Sequence, residues 1–170
     1  MMKVHLVEPT SIFEESFKRY AQSYEEINDE HYFRKYKKSL TDFKGYIKDL
    51  ENLANGINLI EGDIPTSIFW LIYNEEVVGV VRVRHEETGT AGHIGYDVSP
   101  RFRNKGYGNE ILKLSLLETK KLGIETVVLT CSVDNLYSKK IIENNNGKII
   151  DTIYDEEDDE YMFKFIINNK

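Results

Sequence analysis

One cysteine, three prolines and one tryptophan in 170 residues set the first limits on this chain. With Cys131 alone, no intrachain disulfide can form, and the paired-cysteine metal and redox motifs are absent. That usage fits a reducing, cytoplasmic setting. No apolar run reaches the length that crosses a membrane. The stretch from Met1 to Pro9 is too poor in apolar residues for a signal peptide, so none is expected. Positive charge is also scarce: 22 Lys and Arg against 29 Asp and Glu leave a net charge of −7. Bulk nucleic-acid binding, which neutralises phosphates with Lys and Arg, is therefore not expected. An acidic surface favours cationic partners such as amines, or serves solubility alone.

What remains is the composition of an ordinary globular protein, 41% hydrophobic and 30% charged. The length suits one domain, residues 1–170, with a sizeable core. Val4 to Val7 reads as a first strand. Ser11 to Tyr24 reads as a helix, with Phe13, Phe17 and Tyr20 at helical spacing and Thr10 or Ser11 as its cap. A second helical region is expected within His31 to Leu53. Its Tyr32, Phe33, Tyr36, Phe43 and Tyr46 suit packing, or an aromatic layer against an acceptor substrate. Ser67 to Tyr73 and Val77 to Arg84 form a hairpin around Asn74-Glu75-Glu76. Gly92 to Val98 is the next strand, followed by a helix that Gly123 stops and by a buried strand, Thr126 to Cys131. A short helix over Asn135 to Asn144 precedes a closing hairpin, Gly147 to Ile153 and Glu160 to Ile167. The acidic run Asp155 to Asp159 between them reads as a solvated turn or a site for a basic partner. The order predicts a mixed α+β fold: a mostly antiparallel sheet of about seven strands with about four helices on its faces. The helical crossover in the middle makes one parallel pair.

The stretch with most chemical content is Arg103-Asn104-Lys105-Gly106-Tyr107-Gly108. It joins a strand to a helix, so several backbone N–H groups converge where the positive end of the helix dipole lies. Glycines clear side chains from the approach, and Arg103 and Lys105 add charge. The string fits a phosphate or pyrophosphate cradle. It equally fits a basic, solvated turn, since short glycine motifs recur widely. The glycine spacing falls short of G-x-G-x-x-G and there is no Gly-Lys-Ser/Thr, which argues against a dinucleotide Rossmann domain and a P-loop.

Together these features resemble the GNAT-type N-acetyltransferases: strand Gly92 to Val98, Pro100, Arg103-x-x-Gly106-x-Gly108, a helix, strand Thr126 to Cys131 and Asp134-Asn135-x-x-Ser138. His93-Ile94-Gly95-Tyr96-Asp97-Val98-Ser99-Pro100 looks most like a bacterial branch of predicted acetyltransferases. The resemblance is strongest over Val77 to Ile150. It implies acetyl-CoA as cosubstrate without a metal, with its phosphates on the amides of Asn104, Lys105, Gly106, Tyr107 and Gly108 beside Arg103. It also implies that the parallel strands splay, so that the pantetheine arm enters between them and pairs with the backbone at Val98. Asn135 and Ser138 match cofactor-contacting positions, although either Asp134 or Asn135 also suits a helix cap. The acceptor implied is a small-molecule or peptide amine. Related domains pair through sheet edges or closing strands, so a homodimer is one expected arrangement.

Direct attack of an amine on a thioester needs a base, an oxyanion donor and an acid for the thiolate. Cys131 lies within an apolar strand and reads as a buried structural thiol. His93 stands where many relatives have Glu and is a candidate base; Asp97, on the same strand face, is a second. Relatives carry an acidic Tyr at the position of Ile142, so the nearest candidate acid is Tyr137. Arg82, Arg84 and His85 read as acceptor-site residues, as groups that stabilise an acidic acceptor, or as exposed strand positions. The altered catalytic positions also admit a catalytically inactive acyl-CoA-binding sensor or scaffold.

Overall fold

A computed structural model describes residues 3–170. Met1 and Met2, which open the stretch read against a signal peptide, lie outside the described residues. The chain forms β1 (His5–Val7), α1 (Glu14–Glu25), α2 (Glu30–Tyr36), α3 (Lys38–Thr41), α4 (Phe43–Ala54), β2 (Thr66–Tyr73), β3 (Glu76–Thr88) and β4 (Gly92–Val98). After these come α5 (Tyr107–Lys121), β5 (Thr126–Ser132), α6 (Leu136–Asn144), β6 (Lys148–Asp155) and β7 (Glu160–Asn168). The seven strands and the mixed, antiparallel-dominated architecture match the sequence expectation. The expected single helical region after His31 is instead three helices, because Asp42 leaves helical geometry (φ −144°) and its carboxylate caps α4 through the Gly45 N–H at 2.9 Å. Of the two proposed caps for the first helix, Thr10 caps only the short turn Ser11–Phe13, its hydroxyl accepting from Ile12 N–H, and α1 itself starts after Phe13 without a side-chain cap.

All strand ladders are antiparallel, in the orders β1-β2-β3-β4 and β5-β7-β6. The sheet is thus two sheets that meet at β4 and β5, with no ladder between these two strands. They touch closely at one end. Gly92 has φ 61°, and a Cβ there would stand 2.5 Å from the Val128 carbonyl oxygen, so only glycine lets the strands approach at this point. From that junction they diverge toward Val98 and the start of α6.

Strand alternation divides the core between the two faces. Ile68, Trp70, Ile72 and Val80 pack against Phe17, Tyr20, Tyr24, Tyr36, Phe43 and Tyr46 of the α1–α4 layer. Trp70 is fully buried and stacks on Phe17 at 4.3 Å between ring centres. Burying each such ring contributes about 2–3 kcal/mol. On the other face Leu71, Val81, Val83 and Ile94 meet Ile111 and Leu112 of α5, and the cluster continues into Leu129, Ile142 and Phe165 across the sheet break. One apolar layer therefore holds both sheets in place while their backbones part. No helix among the described residues is long and apolar enough to cross a membrane.

Candidate active site

Beyond the point where β4 and β5 part lies a cleft of about 590 Å³, between β4 on one side and α6, which follows β5, on the other. Its walls include Tyr96, Asp97 and Val98 of β4, Asn104, Gly106 and Gly108 at the start of α5, and Asn135, Tyr137, Ser138 and Asn144 of α6. The α5 end is built around two left-handed residues, Asn104 (φ 61°) and Gly106 (φ 86°). Gly106 is the N-cap of α5, and no side chain caps that helix. Asp29, Asp42 and Asn135 cap α2, α4 and α6. At α5, then, the orphan donors of the first turn open onto the cleft. Gly108 keeps the loop tight against α6, since a Cβ there would meet Ile141 Cδ1 at 2.5 Å.

Of the residues expected to hold the cosubstrate, Val98, Arg103, Asn104, Gly106, Tyr107, Gly108, Asn135 and Ser138 line this cleft. Lys105 is not among its lining; its ammonium lies 5.6 Å from the centre of the Phe102 ring. The Tyr107 side chain turns inward against Tyr73 and Phe102, leaving its backbone toward the loop. Arg103 folds back: its Nε donates to the Val98 carbonyl at 3.2 Å, and its guanidinium lies 5.9 Å from the Tyr24 ring centre. Asn135 caps α6 through Ser138 N–H at 3.0 Å, and Ser138 Oγ meets Tyr96 Oη at 3.0 Å. Capping and cleft lining thus coexist in the same two residues.

The candidate catalytic residues separate. Tyr137 is 76% exposed at the cleft rim. Asp97 reaches the cleft wall, but its carboxylate is occupied. Tyr20 and Tyr24 hydroxyls donate to Oδ2 at 2.5 Å each, the Tyr36 hydroxyl to Oδ1 at 2.6 Å, and Arg82 Nη2 to Oδ1 at 2.7 Å. Burial, then the charge of Asp97, holds the Tyr20 and Tyr36 phenols well above their ordinary range. Burial opposes the charge of Arg82, but Tyr36 and Asp97 more than offset it and keep the guanidinium charged. A carboxylate with four such donors has no free lone pair aimed at an amine. His93 lies outside the cleft lining, and its Nδ1 accepts from Val128 N–H at 2.9 Å. Its proton therefore sits on Nε2. Burial lowers its pKa, and Nδ1 is engaged in holding β4 to β5 at the closed end of the gap. These contacts argue against both expected bases: His93 ties the strands together, and Asp97 organises a buried polar network.

Tyr32, one of the aromatic residues read as packing or as a layer against an acceptor, lines the cleft, and so do Tyr96 and Lys140, which were not expected there. Lys140 was readable in principle, because Tyr137, Ile141 and Asn144 recur at helical spacing and place Lys140 beside one face of α6. Tyr96 carries no such signal; its position follows from the strand gap, as that of Tyr32 follows from how α2 crosses the sheet. Among the described residues, no group of three His, Cys, Asp or Glu side chains could hold a metal ion. Cys131 is buried, and burial pushes its thiol from 9.0 up to about 11, as expected for a structural cysteine.

A strand pair opened into a cleft, with an uncapped helix start at one end, defines a fold built to hold a phosphate-bearing cosubstrate between two sheets. Residues 14–148 match the acetyltransferase (GNAT) domain family, and the chain belongs to that family. The open α5 terminus is the feature of the cleft that fits the phosphates of a cosubstrate. Solved structures with this fold include the ribosomal-protein alpha-N-acetyltransferase RimL bound to coenzyme A. It has a TM-score of 0.73 and 14% identity, with coverage of 99% of this chain and 95% of that one. The microcin self-immunity acetyltransferase MccE, bound to acetyl-CoA and AMP, has a TM-score of 0.72 at 15% identity, covering 98% and 92%. RimJ of Mycobacterium smegmatis, with a CoA disulfide, has a TM-score of 0.72 at 14% identity, covering 97% and 81%. No curated protein matches the chain.

Proposed function

We propose that the protein transfers the acetyl group of acetyl-CoA to a primary amine by direct attack within a ternary complex. The observation that carries this is the α5 terminus without a side-chain cap, opening onto the end of the β4–β5 cleft. There the amides of the Asn104–Gly108 loop receive phosphate oxygens, and Arg103, Lys105 and Lys140 supply positive charge. Val98 and Tyr96 line the path between the strands, and Asn135 and Ser138 flank it from α6. The donor contributes an activated thioester; the amine nitrogen bonds to its carbonyl carbon, the C–S bond breaks and the thiolate leaves.

With His93 and Asp97 engaged internally, the amine proton passes to water at the cleft mouth. Tyr137, exposed at the rim, is the group assigned to protonate the thiolate. The acceptor is a small-molecule or peptide amine, as the neighbours RimL and MccE, a protein and a microcin-immunity acetyltransferase, suggest. One domain working in a reducing cytoplasm, alone or as a homodimer, is consistent with its single buried cysteine.

Calorimetry with acetyl-CoA, followed by thiol release across a panel of amines, tests the reading. Micromolar binding with turnover of at least one amine is expected. Binding without turnover would instead identify an acyl-CoA sensor, and absence of binding would remove both. For accepted amines, kcat/KM should rise with pH up to each amine's own pKa. A plateau at one pH common to all amines would restore a protein base. Tyr137→Phe should lower kcat; if Tyr96→Phe alone does so, the acid lies on β4 instead.

A further inference from the structure

Two basic side chains beyond the Tyr32–Asp97 end of the cleft form no ion pair among the described residues. Arg82 is neutralised by Asp97, and His85 Nε2 is hydrogen-bonded to Ser67 Oγ at 2.8 Å. Arg84 differs from both. It is half-buried, its hydrogen bond goes to the Ala91 carbonyl at 3.2 Å, and among the described residues it forms no ion pair. It stands where the β3–β4 register breaks: Val83 pairs with Ile94, and the next pairing is Thr88 with Gly92. Four residues, Arg84 to Glu87, thus face His93 alone, and a bulge of this kind re-aims side chains. The Arg84 guanidinium lies over Gly95, where a Cβ would stand 3.4 Å from Nη2 and 3.5 Å from Nη1. Arg82 Nε would stand 3.5 Å from the same Cβ, so the absent side chain lets both guanidinium groups pack over β4, one residue from Tyr96 and two from Asp97, which line the cleft.

Lys35 on α2 is the second such cation. It is exposed, forms no ion pair among the described residues, and holds its ammonium 5.9 Å from the centre of the Tyr32 ring, another part of the cleft wall. Burial and the charge of Arg82 lower both groups, Arg84 to about 10. The charge of Asp97, and then that of Asp158 on the turn between β6 and β7, acts on Lys35; no carboxylate plays that part for Arg84. In a chain with 29 acids and 22 bases, a half-buried arginine without a counter-ion leaves an anion-shaped demand. The planar guanidinium fork suits a carboxylate or a phosphate.

We propose that Arg84, with Lys35 at the rim, binds an anionic group carried by the amine acceptor close to its nucleophilic nitrogen. This rests on the acetyl-transfer reading of the cleft, and it narrows the acceptor to amines that also bear a carboxylate or a phosphate. Alanyl-aspartate amide against alanyl-asparagine amide tests the carboxylate, and phosphoethanolamine against ethanolamine tests the phosphate. The anionic member of at least one pair should be preferred in kcat/KM on the order of tenfold. Arg84→Gln should abolish that preference with acetyl-CoA affinity unchanged, Arg84→Lys should keep part of it, and Lys35→Gln should weaken it less. A readout independent of turnover is the Gly95 amide resonance of isotopically labelled, CoA-saturated protein titrated with the same four probes. Saturable shifts from an anionic probe, lost in Arg84→Gln and partly retained in Arg84→Lys, sustain the anion site even if no amine is acetylated. Equal shifts from charged and neutral probes, no shift from any, or a preference that survives Arg84→Gln, overturn it.

Discussion

The two ends of the cleft are made of different material. At the α5 end the working groups are backbone amides, freed by two left-handed residues and a helix without a side-chain cap. At the β4 end they are side chains from four elements: Tyr20 and Tyr24 from α1, Tyr36 from α2, Arg82 from β3 and Asp97 from β4. The first end needs only a local turn and suits any ligand with phosphates. The second needs the whole helical layer seated before a single hydrogen bond can form. One end can therefore remain common to a family while the other is rebuilt for each acceptor.

The sharpest way to break this contrast is at Asp97. Asp97→Ala strands Arg82 and three tyrosine hydroxyls in the interior, and should cost about 3–5 kcal/mol in urea unfolding. A loss under about 1 kcal/mol would mean that water already reaches the network. A smaller effect is expected across the cleft. Asn135→Ala removes the α6 cap, costing about 1 kcal/mol of stability, and should weaken acetyl-CoA binding because Asn135 also lines the cleft. Lost stability with unchanged affinity would make Asn135 a cap alone. The smallest effect concerns pH. His93 has a folded-state pKa below its ordinary 6.5, so the unfolded chain takes up that proton first. The resulting stability is fully present above pH 6.5 and drains as pH falls below it. His93→Gln should flatten this acid limb in thermal melts between pH 7 and 5; an unchanged slope would assign the limb to other groups.

Most of the architecture was legible in the sequence because it rests on periodicity. The strand from Gly92 to Val98, the helix after Gly108 and the apolar run Thr126 to Cys131 declare themselves locally, and so does the glycine-containing turn that starts α5. What was not legible follows from long-range contact. Nothing near His93 in the chain announces Val128, 35 residues on, as the donor that occupies its ring. Asp97 and Tyr36 are 61 residues apart, so an apparently available carboxylate proves to be encircled. Arg82 and Arg84 look alike in the strand pattern, yet one is paired and the other is not, and only the β3–β4 bulge and the helical layer decide which. Among the aromatic residues of the second helical region, Tyr36, Phe43 and Tyr46 turned out to be core, whereas Tyr32 belongs to the cleft.

Trp70 has a practical consequence. It is the single indole among 11 tyrosines, it is fully enclosed, and its Nε1 finds no hydrogen-bond partner among the described residues. Its fluorescence should therefore be blue-shifted and fed by energy transfer from Tyr20, Tyr36 and Tyr46 close by. Because it stands on β2 beneath the helical layer, a red shift would report that layer parting from the sheet. The protein thus carries its own optical probe for the α1–α4 half, blind to events at the start of α5.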